Sequence, residues 1–180
     1  EAVAPSTPAD DERARMSIRE RLVSPMPDDR LFGWVASLVV TLIAAAMRLN
    51  RLSLPASQVF DEVYYRKDSH DLWRYGVERN AEGTGPGYVV HPPLGEWMIG
   101  WGQRAFDWNN EKVYSKTLTG EHAAFSWRIG GAILGILTVL ILCRLGRRLF
   151  RSTLLGCFAG LLMSLDGLHF VQSRAIMLDI

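Results

Sequence analysis

The sequence predicts an all-α integral membrane protein, with N-terminal transmembrane helices on either side of one long extracytoplasmic loop that contains interfacial amphipathic helices. Three observations predict it. Leu31 to Met47 runs for 17 residues without a charge, Ala123 to Cys143 is a second apolar stretch broken only by Arg128, and Arg144 to Arg151 gathers four arginines just before a third stretch. Hydrophobic residues make up 48% of the 180, yet the mean hydropathy is only +0.05, so very apolar blocks alternate with very polar ones. A net charge of +1 provides no basic field of the kind nucleic-acid binding needs, which excludes nucleic acid as a partner. The chain opens on Glu1 rather than Met and stops at Ile180 inside an apolar stretch, and it is read as a piece of a longer protein.

Residues 1–30 are rich in Pro, Asp, Glu and Arg and lack apolar periodicity, which predicts a disordered tail with a short helix around Met16 to Val23. Residues 31–49 form the first span, longer than a signal-peptide core; cleavage after Ala44-Ala45-Ala46 is the alternative. Residues 123–143 form the second span, with Arg128 near one end, where it can snorkel to the headgroups. The arginines of residues 144–153 place that loop in the cytoplasm by the positive-inside rule. Arg13, Arg15, Arg19, Arg21 and Arg30 put the tail on the same side, although Arg48 and Arg51 count against this orientation. Residues 50–122 are then extracytoplasmic. Gly131 with Gly135 and Gly156 with Gly160 have the four-residue spacing that lets helix backbones approach, predicting a tight hairpin of the second and third spans.

The third span is short as an uninterrupted run. Leu154 to Leu165 gives about 18 Å of helix against a hydrocarbon core of about 30 Å. It must stop within the membrane or continue through Asp166 to residue 170, with 171–180 opening the next membrane segment. Either path puts Asp166 and Arg174 near the outer membrane boundary, where they act in function or pair as a structural lock.

The outside loop contains the polar chemistry. Asp61 and Glu62 are adjacent carboxylates close to a membrane surface, explained at the simplest by the dipole of a helix N-terminus. Asp61 to Tyr75 can be helical, and the Gly- and Pro-rich stretch from Gly76 to Pro93 must be a loop. Leu94, Trp97, Met98, Trp101, Ala105 and Trp108 recur at helical offsets over residues 93–108, after Pro92-Pro93. That face fits a helix lying in the membrane interface, or else the core face of a soluble loop domain. His70, His91, His122 and His169 show no zinc-type spacing, so no metal site is predicted, and Cys143 and Cys157 are expected to stay reduced.

Three motifs then occur in order. They are Phe60-Asp61-Glu62 after the first span, Val90-His91-Pro92-Pro93-Leu94-Gly95 before the Trp-faced helix, and Leu165-Asp166-Gly167 with Gln172-Ser173-Arg174-Ala175-Ile176-Met177-Leu178-Asp179. Together they resemble the N-terminal third of the protein O-mannosyltransferase family, its bacterial branch included, over residues 31 to 180. Glu96 departs from the pattern, which is expected to carry Lys there. The resemblance implies a multi-span lipid-phosphate-sugar glycosyltransferase of the cell membrane. Such an enzyme moves mannose from polyprenyl-phosphate-mannose to Ser/Thr hydroxyls of exported polypeptides, with inversion and without a resident cofactor.

The resemblance also assigns roles. Asp61 is the catalytic base that takes the acceptor hydroxyl's proton. Arg174, whose planar fork suits two phosphate oxygens, anchors the donor phosphate with His91, the latter alternatively capping the Trp-faced helix. Glu62 positions the acceptor or forms a salt bridge within the fold, and Asp166 is the candidate ion-pair support. Membrane lipid, the donor, the exported acceptors and a translocon are the expected partners. The alternatives are a related transferase with a lipid or glycan acceptor, and a non-catalytic scaffold or transporter piece.

Overall fold

The computed structural model describes residues 16–26, 29–80, 82–89, 91–106 and 121–177. The first half of the expected tail, Trp108, the side chain of His122 and residues 178–180 of the expected next segment lie outside them. The described helices are α1 (Ile18–Val23), α2 (Arg30–Leu49), α3 (Glu62–Tyr75), α4 (Pro93–Phe106), α5 (Glu121–Phe150), α6 (Thr153–Leu165) and α7 (Gly167–Arg174). α5 is the common axis, since α1, α2, α4, α6 and α7 all pack on it, while α3 joins through α4. Buried Tyr65, Ile99, Ala124 and Trp127 form the largest apolar cluster, where α3, α4 and α5 meet.

Two helices are long and apolar enough to cross a membrane, α2 and residues 123–150 of α5, and α6 with α7 adds a third candidate bent by 63°. The outer faces of these helices are apolar and exposed, as Leu31, Val35, Leu42, Ile141, Phe158 and Leu162 show. Hydrocarbon facing outward over that much surface fits lipid rather than water as the surrounding medium. The break in α6–α7 comes at Asp166, which leaves the helical path and caps α7, its Oδ1 accepting the His169 N–H at 2.7 Å.

The two glycine pairs have different partners. Gly156 and Gly160 face α5 at Cys143 and Arg147, forming the expected hairpin seam, but Gly131 and Gly135 receive α7, with Ser173 against both. The expectation that all four line one hairpin is therefore corrected. The helix break returns α7 across α5, and the smooth strip at Gly131 and Gly135 is where it lands.

At the end of the bundle carrying the four arginines, Arg144, Arg147 and Arg148 lie on the last turns of α5 rather than in the expected loop, and α1, with a complete capping box of Ser17 and Glu20, docks on that end. Arg21 donates to the Leu149 carbonyl at 3.2 Å and Arg151 to that of Pro25 at 2.7 Å. Arg147 pairs with Asp29 and donates to Thr153 at 2.8 Å, while Arg144 stacks on Trp34 at 3.9 Å. Over residues 16–26, the expected mobile tail thus packs against the arginines. Arg48 is fully buried and donates to His169 Nδ1 at 2.7 Å, so it is an internal residue rather than a loop charge.

A Cβ on Gly156 would stand 2.5 Å from both the Cys143 oxygen and the Arg147 nitrogen, backbone atoms that cannot swing away. Gly156→Val is expected to lose about 1–3 kcal/mol, read as a lowered thermal unfolding midpoint in detergent. Gly167→Ala, with nothing within 4 Å of its Cβ, should unfold like the wild type.

Candidate active site

The start of α3 is fixed by one buried ion pair. Glu62, fully buried, accepts from Arg128 Nε at 2.7 Å and from Nη2 at 2.8 Å, and its Oε2 also accepts the Val59 N–H at 2.8 Å. Arg128, on α5, gives its remaining hydrogens to the carbonyls of Leu52, Pro55 and Ser57 at 3.2, 2.8 and 3.1 Å. Every donor of the guanidinium is used, which is the condition for a buried pair to be stable. Arg128 therefore does not snorkel. Its 2% exposure places it inside the protein, and Glu62 takes the salt-bridge alternative of its two expected roles.

The pair sets the direction of the neighbouring residue. Adjacent helical side chains point about 100° apart, so with Glu62 turned inward Asp61 turns out of the packed core. Phe60 supports this turn with a left-handed φ of 55°. Asp61 occupies the N-cap position of α3, yet its side chain makes no capping bond and no ion pair among the described residues. It lines a cavity of about 410 Å³ with Tyr65, Asp68, Glu78, His91 and Glu96, and Tyr64 and Tyr88 complete the wall. That volume suits one sugar-sized ligand with its phosphate. His91 enters the cavity from just before α4 and meets Tyr65 edge-on, Nε2 to the hydroxyl at 3.3 Å.

Of the residues singled out in the sequence, Asp61 and His91 share this cavity and Arg174 does not line it. Arg174 lies on α7, where Nη2 donates to the carbonyls of Asn50 and Arg51, each at 3.0 Å. The expected Asp166–Arg174 ion pair is absent among the described residues, because Asp166 is turned to the N-terminus of α7 and Arg174 to the loop after α2. Arg174 and Asp61 are linked through that loop, whose first residues are held by Arg174 and whose last lead into α3.

Three carboxylates in the cavity were missed at the sequence level. Asp68 lies seven residues after Asp61 on the same helix face, a spacing that could have revealed it. Glu78 returns to the cavity after Gly76 ends α3 with a φ of 75°, in a turn closed by the Gly87 N–H on the Glu78 carbonyl at 2.8 Å. Glu96 is 1% exposed on the inner face of α4, while Trp97 on its outer face is 52% exposed. The outer face of the helix is apolar, and its inner face carries Ile99 in the core cluster beside Glu96, Gly100, Gly102 and Gln103. One oxygen from each of Asp68, Glu78 and Glu96 lies within 4.8 Å of the others, so these are the residues able to hold a metal ion.

Crowding and burial shift these groups. Burial, then the charge of Glu78, pushes Glu96 up to about 8. Burial also raises Glu78 and Asp68, with Lys67 opposing the rise at Asp68. Of the three, Glu96 is thus held furthest toward its protonated form.

Membrane-length helices carrying at one end a cavity lined with carboxylates, phenols and an imidazole define a helical membrane protein with an enzyme-like site. The chain belongs to the family described as dolichyl-phosphate-mannose-protein mannosyltransferase, whose profile matches residues 38–180. It is 37% identical over 166 residues to a polyprenol-phosphate-mannose–protein mannosyltransferase of Mycolicibacterium smegmatis, covering 88% of this chain and 29% of the relative. The protein of the same name from Mycobacterium tuberculosis is 38% identical over 157 residues, covering 85% of this chain and 27% of the relative. The dolichyl-phosphate-mannose–protein mannosyltransferase 4 of Saccharomyces cerevisiae is 34% identical over 163 residues, covering 86% of this chain and 19% of the relative. The chain thus spans less than a third of the length of these relatives. No solved structure matches it.

Two outcomes follow from the site. Arg128→Ala leaves Glu62 charged and buried without a partner, and should cost about 3–5 kcal/mol, seen as loss of folded protein from detergent extracts. The carboxyl of Glu96 has an ordinary value of 4.5 and a folded value of about 8, so between the two the folded state binds more protons than the unfolded one. In chelator, stability should be highest at the acid end of that window, fall as pH rises through it and level off above it, and Glu96→Gln should flatten the fall in a thermal-shift series.

Proposed function

We propose that the complete protein transfers mannose from polyprenyl-phosphate-mannose to Ser/Thr hydroxyls of exported polypeptides, with inversion at the anomeric carbon. The observation that carries this reading is the unengaged Asp61 carboxylate at a sugar-sized cavity, in a chain of this family. A hydroxyl is a poor nucleophile at neutral pH. Asp61 accepts its proton as the oxygen attacks the anomeric carbon from the face opposite the phosphate. The carbon–oxygen bond to the phosphate breaks as the new one forms, and the electron pair leaves with the polyprenyl phosphate.

The departing phosphate needs a fixed positive partner, and Arg174 is the residue assigned to it. Its Nη2 is held by two backbone carbonyls, which orients the fork and supports that role. His91, oriented by Tyr65, contacts the donor from the cavity side. Glu62 acts through Arg128 as a positioning residue for Asp61. The docking of α1 on the arginine loop, with the cavity formed by the segment beyond α2, supports a plasma-membrane protein with a cytoplasmic N-terminus and residues 50–122 outside. Acceptors then arrive as they leave a translocon.

Labelled mannose transfer from polyprenyl-phosphate-mannose to a Ser/Thr-rich peptide tests the reading, in membranes holding the complete protein. Asp61→Asn should lower transfer about 10²–10⁴-fold at unchanged protein level. Arg174→Ala should lower it about as far as loss of a transition-state electrostatic contact does, about 10²–10³-fold. Undiminished transfer by Asp61→Asn would remove the base assignment.

A further inference from the structure

Beside Asp61 the cavity wall holds a second constellation that the transfer reaction does not use. Asp68 on α3, Glu78 on the turn after it and Glu96 on α4 each offer a carboxylate oxygen, all within 4.8 Å of one another. The three oxygens are close enough for a single ion of Ca²⁺ size, bound at about 2.4 Å, to draw all of them in with small side-chain shifts.

A cluster of acids on an open surface would need no ion, but this one is enclosed. Glu96 is 1% and Glu78 4% exposed, and the second oxygen of Glu96, Oε2, is buried without a hydrogen-bond partner although the residue lines the cavity. A buried carboxylate oxygen with no donor is costly to maintain. Among the described residues no cationic side chain forms an ion pair with Glu78 or Glu96. Among the described residues Lys67 is held by Asp71 at 3.1 Å and by the Arg79 carbonyl and approaches Asp68 at 3.4 Å, while its charge and that of His91 act on Glu78 without an ion-pair contact. His91 is engaged with Tyr65.

We propose that Asp68, Glu78 and Glu96 together bind one hard divalent cation, Ca²⁺ or Mn²⁺ among them, in the wall of the cavity that holds Asp61. The ligand set is all carboxylate oxygen, which selects hard ions over zinc or copper. Three protein ligands leave positions on the cavity side for water. The inference rests on three side chains and holds whatever sugar or acceptor the enzyme uses.

The test uses the complete protein in detergent, stripped with EDTA and titrated at pH 8 with Mn²⁺, free ion being followed by its electron paramagnetic resonance. One Mn²⁺ per chain, displaced by Ca²⁺, is expected. Glu96→Gln and Glu78→Gln should each weaken it about tenfold or more, whereas Asp61→Asn should leave it in place. Both glutamine variants keep the side-chain shape and remove a buried charge, and their size-exclusion profiles check that they fold. If one variant misfolds, the other decides. Absence of bound Mn²⁺ in the wild type up to millimolar ion, or stoichiometric binding that survives both substitutions, would overturn the proposal.

Discussion

The Glu62–Arg128 pair is the interaction on which the rest of this structure depends. It links a membrane-length helix to the first turn of α3, and it gathers the backbone of the intervening loop on one guanidinium. Such a pair is weak evidence for stability, since desolvation of both ions offsets most of their attraction. Its value here is geometric. With Glu62 fixed inward by five hydrogen bonds on its partner, its neighbour has one direction left, and that direction is the cavity. The acidic motif therefore divides into a buried, paired carboxylate and one that lines the cavity, by rotation of a helix alone.

A second constraint comes from α4. Its apolar, tryptophan-bearing side faces out and its inner side carries Glu96, Gly100, Gly102 and Gln103. The glycines let Trp73 and the Ser126 carbonyl approach closely, so the inner face is tight as well as polar. Gln103 closes the arrangement by donating to the Arg66 carbonyl at 2.8 Å. The helix thus presents tryptophans outward, and inward it combines Ile99 in the apolar core with Glu96 in the cavity wall.

Much of the architecture was legible in the sequence because its signals are local. Uncharged runs mark α2 and α5, the arginine cluster marks the turn between α5 and α6, and Asp166-Gly167 marks the break where α7 turns back. The Trp face of α4 could be read from periodicity, though not its orientation, which depends on what packs on the other side. What the sequence concealed was long-range pairing. Nothing near Arg128 announces Glu62, 66 residues earlier, as its partner. Asp166 and Arg174 are close in sequence and apart in structure, because they stand at opposite ends of α7, where each meets a different neighbour. The triad of Asp68, Glu78 and Glu96 draws on three elements, and Glu96 was visible only as a departure from the Lys expected in the family.

The loop from Asn50 to Val59 shows how such a site can vary. Arg174 holds it at the carbonyls of Asn50 and Arg51, Arg128 at those of Leu52, Pro55 and Ser57, and Glu62 at the amide of Val59. All of these grips are on main-chain atoms, which every residue type supplies. Leu52, whose side chain is buried, and Gln58, whose amide oxygen accepts from Arg66, apart, the loop's side chains are free to drift over evolutionary time while its length is not. One inserted or deleted residue would shift the register of every grip and exchange the facings of the two acids. The segment acts as a ruler between two arginines and a carboxylate, one whose markings can be rewritten but whose span cannot change.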